Sequence, residues 1–150
     1  MLQAVNDSNF NAVGVLLNKG ANPNTQDRYR RPVLIMAIEN ALRGNWSLGI
    51  VHELLDGGAN PNAHIKMWAD KGGIFYFYPP GTTPLMAAVT KPSVASGQRL
   101  DLVRLLLKKG ADPRLRSQDG GTALTRAKVL PEKEQAADII QVLKRAMGTV

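Results

Sequence analysis

The chain has 150 residues, 44% of them hydrophobic, enough for one domain to bury roughly two-thirds of its unfolded surface without a covalent staple. It contains no cysteine, which excludes disulfide frameworks, cysteine-ligated zinc and thiol catalysis. Nineteen Lys and Arg against 12 Asp and Glu give a net charge of +7, a balance that favours acidic partners and admits nucleic acid.

Taken in chain order, Met1 to Val5 reads as a short helix that lacks a beginning, followed by a second helix with apolar residues at Phe10, Val13, Leu16 and Leu17. The same steps of three, three and one recur at Leu48, Val51, Leu54 and Leu55 and at Leu100, Val103, Leu106 and Leu107. They appear again at the end as Ala136, Ile139, Val142 and Leu143. This spacing places each set on one helix face. A shorter helix is expected ahead of each later one, at Leu34 to Ile38, Thr83 to Ala88 and Thr122 to Ala127. Pro84 suits a first turn, where its missing N–H would be unbonded anyway. Small Ala4, Ala37, Ala88 and Ala127 should let paired helices approach closely. Three long helices end in near-copies: Gly20-Ala21-Asn22-Pro23-Asn24, Gly58-Ala59-Asn60-Pro61-Asn62 and Gly110-Ala111-Asp112-Pro113. Gly supplies a left-handed helix end and Asn bonds its own turn, so these residues are structural rather than ligands.

These turns, the paired helices and the run Thr83-Pro84-Leu85-Met86-Ala87-Ala88 resemble the ankyrin repeat family, whose unit is a turn and two helices in about 33 residues with a Thr-Pro-Leu-His-x-Ala signature. The resemblance covers essentially the whole chain. It implies an all-α solenoid of about four helix-turn-helix repeats, near 1–24, 25–62, 63–114 and 115–150, in a single domain 1–150 with β-hairpin fingers. The signature histidine is replaced by Leu2, Ile35, Met86 and Thr125, so its usual bonds to neighbouring turns are expected to be missing. Gly20 to Gly58 is 38 residues and Gly58 to Gly110 is 52, both longer than the family unit. The excess falls as insertions of 5 and 6 residues between paired helices, read as loops around Arg43-Gly44-Asn45-Trp46 and Lys91 to Gly97, and of 13 in one finger. The first repeat without its finger suggests a fragment of a larger protein or an unusual cap.

The resemblance also implies that partners dock on a concave surface lined by fingers and first helices. Matching positions are Arg28, Tyr29 and Arg31 on the first complete finger, Glu39 and Asn40 on the helix surface after Ala37, and Arg116 and Gln118 on the last finger. The enlarged finger, about residues 64–80, reads as an extended hairpin: Ile65 to Trp68, a Gly-rich turn, then Ile74 to Tyr78. It holds five of the eight aromatic residues. Met67, Trp68, Phe75, Tyr76 and Tyr78 are therefore candidate contacts, since aromatic residues dominate interface hot spots. The alternative that these rings pack the hairpin against its neighbour stays open. Arg28, Arg30, Arg31, Lys66, Lys71, Arg114 and Arg116 should form a basic edge, either a site for an acidic protein or phosphates or a set of solvated charges.

Nothing points to catalysis. His52 and His64 lie in different elements, with no second ligand four residues away on one face, so no metal or cofactor is expected. Gly72-Gly73 and Gly120-Gly121 lack the Lys-Ser or Lys-Thr of a phosphate loop, and no Ser sits in a Gly-x-Ser-x-Gly turn. The apolar runs are far shorter than the roughly 18 residues a membrane span needs. The N-terminus has neither a basic start nor a long apolar core. The expectation is a soluble, cytoplasmic monomer, with an export signal already removed left open. Its function is read as a non-catalytic scaffold or adaptor that binds another protein, with nucleic-acid binding or a targeting role in a larger protein as alternatives.

Overall fold

The computed structural model describes residues 1–44, 48–66, 78–90, 98–131 and 133–149. Among them the chain forms eight helices: α1 (Leu2–Asn6), α2 (Phe10–Asn18), α3 (Val33–Leu42), α4 (Leu48–Asp56), α5 (Pro84–Ala88), α6 (Gln98–Lys108), α7 (Ala123–Ala127) and α8 (Lys133–Ala146). They pack as successive pairs, and each first helix also meets the first helix of the next pair. A single hydrophobic cluster runs through the stack from Ala4 to Leu143.

Local chemistry fixes the helix boundaries. Thr83 caps α5 by accepting the Met86 N–H at 3.3 Å, with Pro84 in the first turn. Thr122 and Thr125 form a reciprocal capping box on α7, with bonds of 2.8 and 3.2 Å. Asn9 caps α2 through the Ala12 N–H at 3.0 Å. Helices of five residues such as α5 do not persist on propensity alone. Burial holds this one, since all five of its side chains are buried.

The three glycine turns close identically. The Gly58 N–H donates to the Leu55 carbonyl at 3.2 Å and the Ala59 N–H to Leu54 at 2.8 Å; Gly20/Ala21 and Gly110/Ala111 repeat the pattern. Gly58 has φ of 92° and open space around its would-be Cβ, so backbone conformation, not crowding, requires glycine there. The asparagines do more than bond their own turn. Asn24 Nδ2 donates to the Gly58 carbonyl at 3.1 Å while its Oδ1 accepts the Asn60 N–H at 2.7 Å. Asn62 does the same with the Gly110 carbonyl at 3.1 Å and the Asp112 N–H at 2.8 Å. Turn-to-turn bonding is thus supplied by these amides on a chain that lacks the signature histidine.

Several expectations are modified. α3 runs to Leu42, so part of the first insertion extends a helix instead of forming only a loop. All ten residues of α3 are buried, because it packs against α1, α4, α5 and α6. Phe10, expected on a core-facing stripe, is 47% exposed and rests on Gly49, where an added Cβ would come within 3.2 Å of its ring. The described parts of the fingers contain no strand. The first closes through an isolated bridge, Gln26 to Pro32, around a turn in which the Arg30 N–H donates to Asp27 and the Asp27 N–H to Arg31. The last closes through Ser117 and Gly121. Loops this short leave room for one or two ladder bonds, too few for a strand. The hairpin expected at 64–80 falls mostly on residues 67–77, outside the described residues. At its base Gly81 and Ile65 pair at 2.7 Å and Ile65 and Thr82 at 3.1 Å.

Candidate functional site

The first finger and α3 meet at a half-buried ion network. Asp27, in the first finger, accepts the backbone N–H groups of Tyr29 and Arg31 through Oδ1, each at 2.9 Å. Its Oδ2 takes the Arg31 guanidinium from Nε and Nη2, both at 3.1 Å. The other arm of that guanidinium, Nη1, pairs with Glu39 on α3. Arg31 therefore joins finger to helix with its planar fork, the geometry that distinguishes Arg from Lys in such a role. Across the network the Tyr78 hydroxyl faces Glu39. Burial, then the adjacent Glu39 carboxylate, pushes the phenol well above its ordinary range.

This placement overturns the expected exposure of three candidates. Glu39 is 2% exposed, Asn40 9% and Tyr78 3%. Glu39 and Asn40 sit not on a free helix surface but in the joint between neighbouring first helices, where Asn40 Nδ2 donates to the Val5 carbonyl of α1 at 2.9 Å. Of the two roles open for the aromatic finger, Tyr78 takes packing: it belongs to the core cluster. Met67, Trp68, Phe75 and Tyr76 lie outside the described residues.

The remaining candidates face solvent to different degrees. Tyr29 is half-buried beneath the exposed Arg28, whose guanidinium carbon lies 4.8 Å from the ring centroid, a cation–π distance. Arg114 is exposed but bonds the Met147 carbonyl just beyond α8 at 2.7 Å. Arg116 donates to the Gly120 carbonyl within its own finger at 3.0 Å. Gln118 is exposed, and its backbone N–H bonds the Pro80 carbonyl at 2.8 Å, which ties the last finger to the stem of the enlarged one. Arg126 lies over Gly121 and pairs with Asp119 at 2.9 Å and with Ser117 at 2.7 Å. The Ser117 hydroxyl first, helped by the Gly121 N–H and Arg126, holds the Asp119 carboxyl below its ordinary range against the opposing effect of burial.

Beside the Arg31–Glu39 pair a hollow of about 130 Å³ opens, lined by Asn6, Arg31, Met36, Glu39, Asn40 and Arg43. Asn6 and Arg43 were not singled out from sequence as contact residues. Both end a helix, and only the packing of α1 on α3 brings them to one cavity.

Another residue missed from sequence is Arg99. It is fully buried, although a charged residue opening an amphipathic helix ordinarily signals solvent, and its Nη1 donates at 3.1 Å to the carbonyl of Ala88, the last residue of α5. Among the described residues no group of three or more His, Asp or Glu could hold a metal, and no helix is long and apolar enough to cross a membrane.

The family pattern of ankyrin repeats, in three copies, matches residues 1–117. The chain belongs to the ankyrin repeat family. No curated protein matches it at a significant level. Ankyrin repeats generally mediate contacts with other proteins and are generally non-catalytic. The matched ankyrin span holds the ion network and the hollow, whereas α7 and α8 lie beyond it.

Proposed function

We propose that this ankyrin repeat chain is a non-catalytic protein-binding module that engages its partner through the face built from fingers and first helices. The observation that carries the reading is the hollow at the foot of a finger edge whose exposed cations, Arg28, Arg30, Lys66 and Arg116, have no carboxylate partner among the described residues. An uncovered edge of this kind steers and orients a charge-complementary partner. Among the described residues the shifted titratable groups, Asp56, Asp119 and Tyr78, have structural causes: the Lys109 side chain for Asp56, the Ser117 hydroxyl for Asp119 and burial for Tyr78. That supports a binding role over chemistry. We further read the chain as one domain of four repeats, with α7 and α8 as a divergent terminal repeat, supported by their packing onto the common core.

The test is affinity capture from native extract with the intact chain and with Arg28→Glu, Arg30→Glu and Arg116→Glu combined. The expected result is loss of the captured protein while a cooperative unfolding transition is retained. Capture at full strength by the charge-reversed chain would remove the finger edge from the interface. A parallel Trp68→Ala, Tyr76→Ala chain asks whether the enlarged finger also contributes. The same exposed cations favour a second reading, binding of nucleic acid or another polyanion, which expects affinity falling steeply with salt. Absence of gel-shift affinity at low salt would eliminate it.

A further inference from the structure

The hollow is lined by one carboxylate, Glu39, and two guanidiniums, Arg31 and Arg43, while Asp27 and the exposed Arg28 and Arg30 belong to the finger that carries Arg31. Both carboxylates are turned onto Arg31. Arg28 stacks on Tyr29, and neither Arg30 nor Arg43 has an acid partner among the described residues. With both acids turned onto Arg31, Arg43 is the cation of the lining that neither acid engages. An arriving carboxylate would complete a pair rather than leave a new charge unmatched.

We propose that the hollow receives an acidic side chain, Asp or Glu, from a partner segment lying along the fingers, with Arg43 as its principal anchor. This rests on the reading of the chain as a protein-binding module and names the chemistry of its ligand. Arg43 ends α3 as its C-cap residue and is exposed at the hollow. Its planar fork offers two parallel N–H donors to a carboxylate. Asn6, at the end of α1, adds amide donors from a second element. Met36 contributes an apolar wall for the ligand's methylenes. The volume of about 130 Å³ is near that of four liquid waters, the size of one side chain. A phosphate backbone would set its regular charges against Asp27 and Glu39 as well as against the guanidiniums. A single carboxylate at Arg43 meets one acid of the lining, Glu39, whose charge is already engaged by Arg31.

The experiment selects a random 12-residue displayed peptide library against the intact chain and against Arg43→Gln. Arg43 is exposed and without an acid partner among the described residues, so the variant should keep the parent melting temperature. Enriched peptides are expected to share Asp or Glu at one fixed position. Its replacement by Asn or Gln should weaken binding about tenfold, and Arg43→Gln should weaken the parent peptide equally without further weakening the neutralised one. Enriched peptides with no acidic position, or equal binding by Arg43→Gln, would overturn the inference and leave the protein-binding reading standing. Failure of any peptide to enrich would overturn both, and binding of a single-stranded oligonucleotide in its place would assign the edge to nucleic acid.

Discussion

Replacing Glu39 by Gln tests the network on which the candidate site is built. The substitution keeps shape and volume and removes one charge. In the Glu39→Gln chain Arg31 would still be held by Asp27, through the two 3.1 Å contacts from Nε and Nη2. Removing one partner of a fully buried pair costs about 3 to 5 kcal/mol. Here the Arg31 side chain is 15% exposed and keeps its second acid, which lowers the expectation to about 2 kcal/mol, the range of a single charge-assisted hydrogen bond. For a chain of this size that corresponds to a melting temperature lower by roughly 4 to 8 °C. Thermal and urea unfolding of the parent, Glu39→Gln, Arg31→Met and the double variant would measure it. The two single losses should overlap, giving a coupling of about 1 to 2 kcal/mol. If Glu39→Gln changes stability by less than about 0.5 kcal/mol, or the two losses simply add, the network is not what joins the finger to α3. Hydrogen exchange should place the weakening in α1 to α4, because repeat stacks are stabilised by nearest-neighbour contacts.

Asn62→Ala removes both turn-to-turn bonds to Gly110 and Asp112 and should cost about 1 to 2 kcal/mol by urea unfolding, since the site is half-buried and water replaces part of the loss. Gly58→Ala should cost about 1 to 2 kcal/mol from the left-handed backbone alone, with Gly58→Asn costing less; an equal effect of Ala and Asn would point to crowding instead. The depressed Asp119 carboxyl contributes stability that is present above its unfolded pKa, near 4, and lost as pH falls through the lower folded value. Asp119→Asn should therefore flatten the acid limb of finger stability, read as protection of the Gly121 amide that bonds Asp119; an unchanged limb would refute the assignment.

The regular parts of the fold were legible because their signals are local. Val13, Val51 and Val103 occupy the same place in a three-three-one pattern, and all three are fully buried. Gly20, Gly58 and Gly110 all take the positive φ expected of helix-ending glycines. Thr83-Pro84 opens α5 as its chemistry dictates. Where the sequence misled, the deciding contact came from another repeat. Glu39 and Asn40 follow Ala37 at positions that local counting places on a surface, yet α1 and the Arg31 finger cover them. Tyr78 ends an aromatic run suited to packing or binding, and the fold buries it in the core beside Glu39.

The sequence by itself determined the repeat, its helix pairs and its turn glycines, because periodicity, capping and φ preference act within a few residues. The tertiary structure decided which charges are neutralised and which are offered. It set Asp27 and Glu39 on Arg31, gathered Asn6 and Arg43 beside one hollow, and gave Asn24 and Asn62 partners 34 to 50 residues away. Those outcomes depend on how one repeat is placed against the next, and no residue carries that information alone.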